Sequence, residues 1–209
     1  MENQLVPKQE VGSEMDAVAA QSFETTAEAL LFYDLAKKRL GNINHWADWC
    51  GTEATTFQLL NALGTAPGTL GEGNLIKIDI PGPGTKTGGG YDWVRIEKIE
   101  AGKTLQTQYF GFRVRPCANP DQPEAGVAHF FKDSATSTFL VRLAKNTVYA
   151  EMHGRNEVPN TTDTSFFDGL RNMTVGYTAK IGLSFPQWKL LVNGIVKLEE
   201  AKPAIGESE

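Results

Sequence analysis

The chain reads as an α+β protein in which a curved antiparallel β-sheet packs against amino-terminal and carboxy-terminal helices. Three observations predict it. From residue 73 to residue 157, runs of alternating apolar and polar residues follow one another with turn signals between them, as strands with one buried and one solvated face require. Ahead of that region lies a reciprocal helix-capping signal, and behind it the apolar period changes from two to helical spacing. With 209 residues, 41% of them hydrophobic and 22% charged, the chain has material for one sizeable core. That core is read as a single domain over residues 17–200, between polar, aperiodic stretches at 1–16 and 201–209 expected to be disordered tails.

In chain order, residues 18–23 form a short first strand. Thr25 and Glu28 make the capping box that opens a helix with Leu30, Leu31 and Leu35 as its apolar stripe; Lys37, Lys38 and Arg39 suit the negative end of its dipole, and Gly41 stops it. Trp46 and Trp49 fall on one side of a short helical turn and plug an end of the core. Residues 57–63 leave strand and helical turn open. Ile76, Ile78 and Ile80 alternate with Leu75, Lys77 and Asp79 up to a Pro-Gly-Pro-Gly turn at 81–84. Residues 91–99 set Val94 and Ile96 on the apolar face against Trp93, Arg95 and Glu97, with Gly102 ending the strand. Residues 105–115 turn Phe110, Phe112 and Val114 inward, and a proline-rich loop fills 116–126. Residues 136–143 and 147–153 pair as a hairpin, with Phe139, Val141 and Leu143 on the side of Val148, Ala150 and Met152. Phe166, Leu170, Met173 and Tyr177 then recur at helical spacing, as do Trp188, Leu191, Val192, Ile195 and Leu198. Gly182 and Pro186 mark a break or kink between these stretches, and Ser184 is the expected N-cap of the last helix.

Composition removes several function classes. A net charge of -5 and a pI near 5.3 leave too little Lys and Arg for a nucleic-acid partner. The amino-terminal MENQLVPKQEVGSEMD has no signal-peptide core and no apolar run spans a bilayer, so a cytoplasmic address is expected. Cys50 and Cys117 belong to no Cys-x-x-Cys pair and read as plain thiols, and the three scattered histidines lack ligand spacing, so neither metal nor cofactor is indicated. The glycines at 81–90 lead into a strand, not the helix a phosphate loop needs, and read as an inter-strand connection or a lid. Ser134 and Ser137 sit on no nucleophile elbow.

The order strand, helix, Trp46-Ala47-Asp48-Trp49, curled sheet and long carboxy-terminal helix resembles the START/polyketide-cyclase-like superfamily, also called SRPBCC or helix-grip. Gly90-Tyr91-Asp92-Trp93-Val94 followed by Lys103-Thr104-Leu105 is similar to a strand and edge found among its members. The chain departs from that pattern in its longer first helix, its loop at 81–90 and the apparent break between Gly182 and Pro186. The resemblance implies a deep cavity between sheet and helix that receives a lipid, polyketide, hormone or other apolar molecule, and it carries over no catalytic residue.

Function therefore follows from shape. Binding of an apolar or amphipathic small molecule, lipid or polyketide-like, is the preferred reading, in a pocket lined by Phe110, Phe112, Phe139, Val141, Met152, Tyr177 and Trp188. A solid core of the same residues is an equal alternative. Arg95, Arg113, Glu151, His153 and Arg155 are the polar candidates, since alternation gathers them on one sheet face with Arg115 and Arg142. A cyclase- or hydratase-type enzyme using His153 or Glu151 from the cavity wall is the second reading, and a structural or protein-interaction role the third. Oligomeric state stays open.

Overall fold

The computed structural model describes residues 4–50, 55–80, 86–161 and 177–198. In chain order these form β1 (Ser13–Ser22), α1 (Thr26–Gly41), a 3-10 turn (Ile43–His45), α2 (Trp46–Cys50), β2 (Thr56–Leu60), β3 (Leu75–Asp79), β4 (Asp92–Lys103), β5 (Thr107–Pro116), β6 (Thr136–Ala144), β7 (Thr147–Glu157) and α3 (Tyr177–Ile195). The seven strands make one antiparallel, open, curved sheet in the order β1-β7-β6-β5-β4-β3-β2. β1 and β2 thus lie at opposite edges, roughly 29 Å apart at the usual strand spacing of about 4.8 Å. The connection must cross the sheet, and α1, about 24 Å long at 1.5 Å per residue, does most of that crossing.

The concave face collects the core. Val94 and Ile96, Phe112 and Val114, Phe139 and Val141, Val148 and Met152 are all buried there, together with Ala17 and Ala19 of β1. The β6–β7 hairpin forms as its alternation predicts, turning through Lys145 and Asn146, with Ala144 opposite Thr147 and Lys145 at a φ of 55°. Thr25 and Glu28 close their capping box through the Glu28 N–H to the Thr25 hydroxyl at 3.2 Å and the Thr25 N–H to the Glu28 carboxylate at 3.0 Å.

Four expectations are corrected. The inward stripe of α1 is Ala29, Phe32, Tyr33, Ala36 and Leu40, while Leu30, Leu31 and Leu35 are exposed, Leu31 by 74%. The buried set runs a full turn further at helical spacing, and its two alanines let the helix approach β6 and β7. β4 continues through Gly102 to Lys103 because the Tyr109 ring lies where a side chain on that glycine would sit. Leu105, expected in the next strand, occupies the hairpin tip with its side chain fully exposed. Finally, α3 runs unbroken through Gly182 and Pro186, so Ser184 lies within the helix and not at its start. Pro186 is exposed, and the helix is held beyond it by Leu191, Val192 and Ile195, all buried against the core. Phe166, Leu170 and Met173 lie outside the described residues.

Two devices fix α3. The buried Arg39 guanidinium donates to the carbonyls of Ile195 at 3.1 Å and Lys197 at 2.6 Å, satisfying oxygens that the helix end leaves without partners. Gly194 brings the helix backbone so close to the Trp49 carbonyl that a Cβ there would lie 2.2 Å from its oxygen.

The amino-terminal residues also differ from the expected tail. β1 begins at Ser13, and Leu5 is fully buried on the convex face beside Gly111 and Leu140. Its carbonyl accepts from Arg113 at 3.0 Å and from Thr138 at 3.3 Å. Asn156 straps the segment down, accepting from the N–H groups of Glu10 at 2.7 Å and Val11 at 3.0 Å and donating to the Lys8 carbonyl at 3.1 Å. A lone leucine in a polar run gives no periodic signal, which is why the sequence misses it. Leu5→Ala is expected to cost about 2 kcal/mol in urea unfolding, at the low end for a buried leucine because the strap can partly collapse.

Candidate functional site

Between the concave face and α3 lies a cavity of about 50 Å³, several times the roughly 10–15 Å³ that one water needs. β3, β4 and β5 supply an aliphatic floor of Ile76, Ile78, Val94 and Val114. Aromatic walls come from Trp46 of α2, Phe57 of β2, Phe139 of β6, Trp188 of α3 and the Phe130-Phe131 pair ahead of β6. Phe139 and Trp188 meet edge to face at 5.3 Å, and His129 stacks on Phe130 at 4.3 Å. A few polar groups reach this apolar lining: Thr55, His129, Ser137, Glu157 and Gln187.

Glu157 is the acid among the lining residues, and simple alternation would turn it outward with His153 and Arg155. The chain instead inserts an extra residue in β7, where Ser13 pairs with Glu157 and Met15 with Gly154, and Asn156 takes a left-handed φ of 56°. That bulge shifts the side-chain parity by one and sends the Glu157 carboxyl to the concave face. Gly154 makes room: a Cβ on it would fall 2.2 Å from the carboxyl Oε1. Glu157 is 5% exposed, and burial pushes its pKa up to about 7 against the smaller opposing effects of the Ser13 hydroxyl, which donates at 3.3 Å, and of Arg155. Gln187 accepts from Thr55 through its amide oxygen at 3.4 Å, while its Nε2 is buried without a hydrogen-bond partner among the described residues. The imidazole of His129 accepts the Phe131 N–H on Nδ1 at 2.9 Å, so it is neutral.

Of the lining residues expected from the sequence, Phe139 and Trp188 face this cavity. Phe112, Val141 and Met152 are fully buried in the adjoining core, and Phe110 packs at its margin. The Tyr177 side chain lies outside the described residues. The rest of the lining was not placed in the pocket from the sequence, including the floor of Ile76, Ile78, Val94 and Val114, the rings of Trp46, Phe57, Phe130 and Phe131, and the polar Thr55, Glu157 and Gln187. For Glu157 the available sign was Gly154, a glycine near the end of a strong strand, where a bulge or a close approach is common.

The polar candidates gather on the convex face, away from the cavity. Arg142 donates to Glu151 at 2.8 Å; Glu151 meets His153 Nε2 at 3.0 Å; Asp16 meets His153 Nδ1 at 2.6 Å and Arg155 at 2.8 Å. Glu97, at a bulge in β4, bridges Arg113 and Arg115 and is held below the usual carboxylate range, the guanidinium groups outweighing burial. Arg95 is exposed. His153 and Glu151 are therefore not on the cavity wall, and an enzyme built on them there is excluded. Burial would lower the pKa of His153, but the two carboxylates outweigh it and the net shift is upward. A raised histidine pKa stabilises the fold below the unfolded value near 6.5, and that stabilisation disappears as pH rises through the folded value. His153→Gln should therefore lower the urea midpoint most below about pH 6.5, with the gap from the parent narrowing in alkaline solution.

No model of a protein family matches the chain, and no curated protein matches it. Solved structures do. The hypothetical protein jhp0584 from Helicobacter pylori superposes with a TM-score of 0.50 at 9% identity, over 94% of this chain and 92% of that one. The major latex-like protein 151 of Panax ginseng aligns at 15% identity and a TM-score of 0.34, over 78% of this chain and 94% of its own. Ara h 8.0201 aligns at 8% identity and a TM-score of 0.33, over 86% and 99%. The first likeness extends over nearly the whole chain and shows a shared fold; the other two superpose too loosely to carry an argument. Among the described residues no helix is long and apolar enough to cross a membrane.

Proposed function

We propose that this protein binds an apolar or amphipathic small molecule in the cavity between the sheet and α3. The observation that carries the reading is the combination in the cavity lining of aromatic walls with a buried carboxyl and a buried amide donor, Gln187 Nε2, that has no hydrogen-bond partner among the described residues. A few convergent polar groups in an apolar cleft are what a ligand site presents, and an unpaired buried donor is a cost that a ligand acceptor removes. Phe139 and Trp188 serve as walls, with Phe112, Val141 and Met152 as the rigid backing behind them.

Calorimetric titration with the neutral compound 2-phenylethanol, together with native mass spectrometry of the purified protein for a co-purifying molecule, tests this reading. Saturable binding is expected, weakened about tenfold or more by Val114→Phe, which fills the floor while keeping it apolar. Absence of saturable binding and of any adduct would remove the proposal.

A further inference from the structure

The cavity is asymmetric in charge. Among the described residues its lining holds one carboxyl and no lysine or arginine, and its histidine is committed as an acceptor. Glu157 is met by the Ser13 hydroxyl, which lies at 3.3 Å from the carboxylate and 3.4 Å from the Glu157 backbone carbonyl, so a single weak donor serves both. The charged groups near it are few. Arg155 is the neighbouring cation on β7, but its guanidinium is turned to the convex face, where it pairs with Asp16 and reaches towards Glu14. From the other side, among the described lining residues, stand neutral His129 and the amide of Gln187. Among the described residues no ion pair reaches the carboxyl.

Aromatic faces add a second observation. Trp46, Phe57, Phe130, Phe131, Phe139 and Trp188 all contribute rings to the same lining. Their negative faces attract a cation and offer nothing to an anion. A neutral apolar molecule would fill the space and leave the carboxyl as it is. A cation would both neutralise the carboxyl and meet the rings.

We propose that the ligand carries a cationic nitrogen, as in a small arylalkyl- or alkylammonium compound, with the nitrogen paired to Glu157 and its apolar body enclosed by the aromatic walls. This rests on the ligand-binding reading and narrows it to one class of head group. It also predicts linkage to pH. Ammonium binding needs the ionised carboxyl, so affinity falls as pH drops below the Glu157 value of about 7.

The test uses three compounds of one shape: 2-phenylethylammonium, 2-phenylethanol and phenylacetate. Each is titrated calorimetrically into the full chain and into Glu157→Gln at about pH 8 and again at about pH 5.5. At the higher pH the ammonium compound is expected to bind the parent at least about tenfold more tightly than the alcohol, with phenylacetate weakest. At the lower pH its affinity should fall by about tenfold or more, and in Glu157→Gln both the preference and the pH dependence should vanish. If the alcohol binds the parent as tightly as the ammonium compound, or the variant keeps the preference, the cation inference falls while the ligand-binding reading stands. If none of the three compounds binds and no adduct co-purifies, both fall.

Discussion

Glu157→Gln is expected to make the protein more stable, by about 3 kcal/mol at about pH 8, and to leave it almost unchanged near pH 4. The sign follows from the raised pKa. Below the unfolded value of 4.5 the carboxyl is protonated in both states and contributes no difference. Between 4.5 and about 7 the folded state keeps a proton that the unfolded chain has released, so stability falls as pH rises. Above about 7 the full cost of a buried charge is present, and a shift of this size at about 1.4 kcal/mol per unit gives the stated figure. Glutamine keeps the shape and never ionises. The urea midpoint of parent and variant, followed between about pH 4 and pH 9, reads the difference directly. Subtracting the two curves cancels the other titrating groups, His153 with its raised pKa and Asp16, Glu97 and Glu151 with lowered ones. A difference that does not change with pH would show that the carboxyl is solvated.

Trp46→Ala should be the most damaging single change, at about 3–5 kcal/mol. The indole is 1% exposed and has Phe139 at 4.7 Å, Phe57 at 5.3 Å, Phe112 at 6.0 Å and Trp188 at 6.5 Å between ring centroids. These contacts join α2, α3 and three strands through one side chain. Its N–H also donates to the Leu40 carbonyl at 3.0 Å, tying α2 back to the end of α1. Alanine would open a cavity and strand that carbonyl, whereas Trp46→Phe keeps most of the packing and should cost less than half as much. Equilibrium unfolding of both variants checks the order; equal losses would mean that the hydrogen bond, and not the ring contacts, holds the site together.

The sheet was legible because strands with one wet face announce themselves: Phe139, Val141 and Leu143 against Val148, Ala150 and Met152 admit only one inward side. Where the pattern misleads, a tertiary contact overrides a local one. The leucines of α1 look like its buried stripe until Phe32 and Tyr33 compete for the same core. Proline reads as a helix stop at residue 186, yet the exposed ring is tolerated because the turns beyond it are clamped by Arg39 and Gly194. The candidate site was half visible. Its floor of Ile76, Ile78, Val94 and Val114 and its Phe139 wall follow from alternation, but most of the other rings come from helices and a loop, and Glu157 reaches them only through a bulge, where no periodic argument survives the insertion of one residue.

The pairing of β1 with β7 bears on how the chain is made. Ser13 lies opposite Glu157, so the first strand to leave the ribosome finds its neighbour only after 144 further residues have been synthesised. Until then its ladder groups stay open to other chains, since a partner so remote in sequence imposes a high contact order and slow closure. Val18, 54% exposed even in the finished edge strand, is where such a nascent chain is most exposed to mispairing.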